Sequence, residues 1–163
     1  DEARAVSPTD FHNSVHNAAA GYWSIAAGAK LPSVSLSAYD ASFVVGLLEA
    51  MTLVHGDDCK VLFAAYDIRP PEPLYATRPL AMAMGVALVL TPQRSARTLA
   101  SLEVTPTQAA ETIMADAALE SLRRSNPAGR ALPLLRLLAT RAVGDVVLAG
   151  SGTQRWQRRV QTP

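Results

Sequence analysis

The stretch Leu31 to Met51, LPSVSLSAYDASFVVGLLEAM, constrains the fold of this chain more than any other. Val34, Leu36 and Ala38 alternate with Ser33, Ser35 and Ser37, which reads as a short strand. Residues 41–54 (ASFVVGLLEAMTLV) are apolar nearly all round, and a helix without a polar face has to be buried among other elements. The elbow between them holds Asp40 and Ser42 and no cysteine. A strand turning sharply into a buried helix is the geometry in which α/β enzymes present a nucleophile.

The flanking sequence alternates helix and strand signals. Ser7-Pro8-Thr9-Asp10 is a helix start, with Ser7 as N-cap and Pro8 at the first helical position. A helix over about 8–19 follows, and Gly21 is expected to bend or end it before a short helical piece through Ile25. His55-Gly56-Asp57-Asp58 closes the buried helix, and Lys60 to Tyr66 (KVLFAAY) has the length and continuous apolarity of an interior strand covered on both faces. With the strand at 33–38 it is expected to form a right-handed crossover in the middle of a mixed sheet. Asp67 to Pro73 is too proline-rich for regular structure. Residues 80–91 and 98–104 read as neighbouring strands, 106–124 and 129–141 as helices separated by Asn126-Pro127-Ala128-Gly129, and Val146–Leu148 with Arg155–Val160 as a terminal hairpin turning at Gly150-Ser151-Gly152. That glycine pair opens no helix, so it reads as a turn and not as a phosphate loop. The chain starts with no strand ahead of its first helix, which reads as a fragment or a trimmed start.

With 49% apolar and 18% charged residues, the 163-residue chain can bury one sizeable core as a single domain, which excludes a disordered or fibrous protein. No window is long and apolar enough for a membrane span, and the acidic start DEARAVSPTD is unlike a signal peptide, so a cytoplasmic protein is expected. Cys59, the only cysteine, lies in a polar turn beside Asp57 and Asp58, which disfavour a thiolate. Charge is unevenly spread: residues 1–122 carry 7 Lys or Arg against 13 Asp or Glu, whereas 123–163 carry 8 Arg against Asp145 alone. Arg123, Arg124, Arg130, Arg136, Arg141, Arg155, Arg158 and Arg159 read as a solvated surface, or else as a face for an acidic protein or nucleic acid. No zinc-finger, helix-turn-helix or aromatic-interleaved motif accompanies them, so nucleic acid is the less favoured partner. His12 and His16 have the spacing of a metal-binding pair on one helix face, but Asn13 stands where a metalloprotease has its Glu and no third ligand follows. Packing by His16 and Asn17 is the expected use, and no metal or cofactor is expected.

Three segments together resemble the N-terminal half of the β-ketoacyl synthases, condensing enzymes of the thiolase fold, and most closely the short divergent ketosynthase-like proteins described as chain-length factors. SPTDFHNSVHNAAAGYWSIAAG is similar to the helical segment before the nucleophile. PSVSLSAYDASFVVGLLEA is similar to the nucleophile elbow and the helix behind it, and ATRPLAMAMGVALVLTP to the later segment in which an Arg-Pro pair leads into a Gly-containing strand. The resemblance spans residues 7–92 and leaves 93–163 as a divergent C-terminal part. It implies an α/β, thiolase-like half-fold, a mixed sheet with a buried central helix and helices on both faces, plus C-terminal helices and a short hairpin.

Departures from the family pattern bear on activity. Counting from Pro32 without gaps puts Asp40 at the family's cysteine position, whereas matching Asp40-Ala41-Ser42 to the end of the family's elbow puts Ser42 there. Neither register supplies a thiol. The family also uses two histidines from its second half, and here none follows His55. Asp40 otherwise reads as the N-cap of the buried helix, and Ser42 as a small first-turn residue. Met51, Met82 and Met84, with Phe43 and Val44, read as core, or as lining for an acyl tunnel if the resemblance extends that far. Three functions are consistent with this reading. A noncatalytic subunit of chain-length-factor type would pair with an active ketosynthase, as a homo- or heterodimer, and shape the pocket for acyl chains that an acyl carrier protein presents on phosphopantetheine. An acyltransferase or thioesterase would use Ser42, and a binding domain would use the Arg-rich C-terminus.

Overall fold

The computed structural model describes residues 7–80, 82–150 and 155–161, in which two compact units are distinguished, residues 1–36 and 37–163. In the first unit, α1 (Pro8–Asn13) opens as its sequence directs: Ser7 Oγ accepts the backbone N–H of Asp10 and Pro8 takes the first helical position. α1 stops at Ser14, whose hydroxyl donates to the Phe11 carbonyl, so the break precedes the expected position. α2 (Ala18–Ala27) then runs straight through Gly21 and ends at Gly28, whose φ of 62° is the left-handed geometry that glycine adopts without a Cβ clash. No residue of either helix is buried, and Tyr22 ties them by donating to Asn13 Oδ1 at 2.9 Å.

In the second unit, α3 (Ser42–Gly56) lies at the centre. Phe43, Val44, Leu47, Ala50 and Val54 are buried on it, and only Glu49, Thr52, His55 and Gly56 are exposed, which agrees with the all-round apolar pattern. β1 (Val61–Asp67) and β2 (Met84–Leu90) form a two-stranded antiparallel sheet against α3, with Phe63 packed on Phe43 at 5.5 Å between ring centroids. β3 (Ser101–Thr107), β5 (Arg155–Gln161) and β4 (Gly144–Ala149) form a second antiparallel sheet in the order β3-β5-β4. α4 (Leu74–Thr77) lies between β1 and β2, and α5 (Ala117–Ser125), a 3-10 turn (Ala128–Ala131) and α6 (Leu132–Thr140) lie between β3 and β4. Phe43, Val44 and Leu47 of α3, Ala131, Leu134 of α6, and Val146, Leu148 and Val160 form the core.

The α/β class stands, and the sheets differ from the expected mixed one. Residues 33–38 form no strand, so the right-handed crossover is absent, and β1 meets β2 antiparallel. β1 is also not covered on both faces. Val61, Phe63 and Ala65 turn inward while Leu62 and Tyr66 are 50% and 58% exposed, and Leu62, Ala64 and Tyr66 stand opposite Val89, Ala87 and Gly85. The expected neighbours at 80–91 and 98–104 belong to different sheets, because β3 pairs with β5. Pro106 is accommodated in β3 since that strand is a sheet edge. The helix expected from 106 begins only at Ala117, where Asp116 caps it through Leu119 N–H. Before it, Thr112 borders the outer edge of β4, donating its N–H to Val147 O and accepting Val147 N–H on its hydroxyl. The terminal hairpin is present as β4–β5, and its expected turn at 150–152 lies largely outside the described residues. Among the described residues no helix is long and apolar enough to cross a membrane.

Candidate functional site

The elbow ahead of α3 is a single 3-10 turn, Tyr39–Ala41, which Ala41 N–H closes on the Ala38 carbonyl. Tyr39 has φ 55°, a left-handed conformation that is costly for a bulky side chain and must be held by its surroundings. Two contacts hold it. Ser42 Oγ donates to the Tyr39 carbonyl at 2.7 Å and accepts Ala38 N–H at 2.9 Å, closing the turn from inside. From outside, the Arg78 guanidinium stacks 3.8 Å over the Tyr39 ring and donates to the Asp40 carboxylate.

Asp40 is therefore not the N-cap of α3. That position is Ala41, with no side-chain cap, and the Asp40 carboxylate is turned to Arg78, 38 residues ahead. The hydrogen bond to Asp40 raises the Arg78 pKa above its ordinary value. Asp67, at the end of β1, accepts Ala128 N–H at 2.8 Å. Its carboxyl titrates above the usual range because burial disfavours the anion, more than Ala128 N–H and Arg78 favour it. Asn126, buried, fixes the neighbouring break by donating to Met82 O at 2.9 Å and accepting Gly129 N–H. The elbow is thus held by Ser42 from within and by Arg78 from a distant segment.

Both candidate nucleophile positions are occupied by oxygen side chains already committed to these contacts. The remaining reactive groups stand elsewhere: His55 lies in the last turn of α3, about 20 Å along the axis from Ser42, and Cys59 is exposed beyond it. The elbow holds a shape and a paired charge, and the hydrogen-bond partners of Ser42 Oγ among the described residues are both backbone groups. Nothing local in the sequence marks a carboxylate–guanidinium pair spanning 38 residues, so Arg78 is not recognisable there as the partner of Asp40; its one signal is its place in the Arg-Pro pair.

Other expected sites are dispersed. His12 is on α1 with its ring edge-on to Tyr22 at 5.8 Å, and His16 follows the helix, so the two do not share a helix face. Among the described residues no group of three or more His, Cys, Asp or Glu is placed to hold a metal. Phe43 and Val44 are core with Met51 packed against them, whereas Met82 is 56% exposed. The eight C-terminal arginines share no single face either. Arg123 and Arg158 are buried, Arg123 and Arg130 bind Glu111, Arg159 pairs with Asp145 at 3.1 Å, and Arg124, Arg136, Arg141 and Arg155 are left exposed.

Compared with known proteins, the chain matches over residues 1–156 the family model described as β-ketoacyl synthase, N-terminal domain. No curated protein and no solved structure matches it significantly.

Proposed function

Since the chain belongs to the β-ketoacyl synthase N-terminal domain family, we propose that it acts as a noncatalytic ketosynthase-like subunit of chain-length-factor type. It would pair with an active ketosynthase and help to shape the pocket for acyl chains that a carrier protein delivers on phosphopantetheine. The observation that supports this reading is the state of the elbow. A condensing enzyme needs a thiolate at the start of the buried helix, where the helix dipole and free N–H groups lower its pKa. Here the two residues that can align with that position are a carboxylate paired with Arg78 and a hydroxyl spent on Tyr39 O and Ala38 N–H. The same contacts weigh against an acyltransferase or thioesterase using Ser42, for which a base within hydrogen-bond reach is required.

The test is reconstitution. The purified chain, given acyl and malonyl carrier proteins, is expected to form no β-ketoacyl product. Added to an active ketosynthase from its own organism, it is expected to co-purify with that enzyme and change the length distribution of its products. Product from the isolated chain that is lost in Ser42→Ala would sink the proposal, as would failure both to bind the ketosynthase and to alter its products.

A further inference from the structure

Arg158 occupies the centre of β5, the middle strand of its sheet, between Val104 of β3 and Val146 of β4. Strand alternation puts it on the same face as Trp156 and Val160, the face that packs on the core. It is 0% exposed, and its Nε, Nη1 and Nη2 find no hydrogen-bond partner among the described residues. Burial lowers its pKa to about 10, which leaves it a cation at neutral pH.

The other buried arginine shows what such a group requires. Arg123 is 3% exposed, and its Nε and Nη2 each donate to Glu120 at 2.7 Å while Nη1 donates to Glu111. Arg158 is buried as well and has no such acceptors among the described residues. Glu103 and Asp145, the carboxylates next to it in the sheet, stand opposite Arg159 and so on the other face. A desolvated guanidinium cannot shed its charge at neutral pH, and its planar fork of N–H donors is matched by a two-oxygen acceptor.

We propose that Arg158 anchors a carboxylate-binding site on the core face of the β3-β5-β4 sheet. The hydrocarbon around it, Val104, Val146, Trp156 and Val160, selects an acid with an apolar body over phosphate, whose additional charged oxygens would be left without partners. The carboxylate comes either from a short aliphatic acid or from an acidic side chain of a second copy of this chain. Because the guanidinium is closed to solvent, entry accompanies local opening of the sheet and is slower than diffusion.

The experiment is thermal unfolding of the full chain at pH 7 and fixed ionic strength, with butyrate or phosphate replacing chloride, alongside sedimentation over a range of protein concentrations. A saturable rise in Tm of about 5 °C with butyrate, smaller with phosphate and lost in Arg158→Met, supports the free-acid source. Association that raises Tm with protein concentration and disappears in Arg158→Met but not in Arg158→Lys supports the second copy. A wild-type chain showing neither effect overturns the proposal whatever the variants do, and so does an effect that survives in Arg158→Met. Should Arg158→Met not fold, Arg158→Gln takes its place in both comparisons.

Discussion

At the scale of single residues, the elbow and the break before α6 depend on atoms without substitutes. Ser42→Ala removes a hydroxyl that donates to Tyr39 O and accepts Ala38 N–H, leaving a strained residue less firmly held. A loss of about 1–2 kcal/mol is expected in denaturant unfolding. At Gly129 a Cβ would lie 2.6 Å from the Leu122 carbonyl oxygen, so the backbone of α5 would have to shift. Gly129→Ala is therefore expected to destabilise by about 1–3 kcal/mol, although alanine is ordinarily the better residue in helical turns. Of the elbow, the sequence made the turn and its two oxygen residues legible. Their partners were hidden, since Asp40 finds Arg78 only after the chain has passed through α3, β1 and α4. Arg158 shows the converse: it breaks an otherwise apolar inward alternation with Trp156 and Val160, a signal lost when the eight arginines are read only as charge.

At the scale of elements, α5 is anchored by an ion network. Glu120 accepts Arg123 and Met114 N–H, and its pKa falls to about 2, first through the Arg123 hydrogen bond and then through the backbone donor. A carboxyl depressed in the folded state stabilises it above the unfolded pKa, and that contribution is lost as pH falls through the folded value. Protection of α5 amides in hydrogen exchange is expected to decline between about pH 4.5 and pH 2, and Glu120→Gln should flatten that decline. The buried helix and the hairpin strands are readable because their patterns come with clear stops in the sequence, HGDD for one and Gly150-Ser151-Gly152 for the other. Residues 33–38 alternate like a strand and pair with no strand among the described residues, since alternation describes a side-chain pattern and not the presence of a partner edge. The helix anticipated from 106 was overextended because Thr112, neutral in the pattern, is taken by the edge of β4.

For the whole molecule, stability is expected to rest on the core around α3. Phe43→Ala should cost about 3–5 kcal/mol in denaturant unfolding, since the ring is fully buried against Phe63, whereas Leu62→Lys on the exposed side of β1 should stay within about 0.5 kcal/mol. The β1–β2 sheet has two strands only, so each has one outer edge unpaired among the described residues, next to an apolar face of Leu62, Tyr66 and Val89. Such edges template the addition of further strands, and KVLFAAY and MGVALVLT have the apolar, β-prone, nearly uncharged character of segments that stack into fibrils. Lys60 and Asp67 are the only charges flanking the first of these, and the second has none. Kept at high concentration without a partner, the protein is expected to develop thioflavin-positive aggregates, more slowly in Leu62→Lys. Whatever covers that sheet in the cell would then also act as its chaperone.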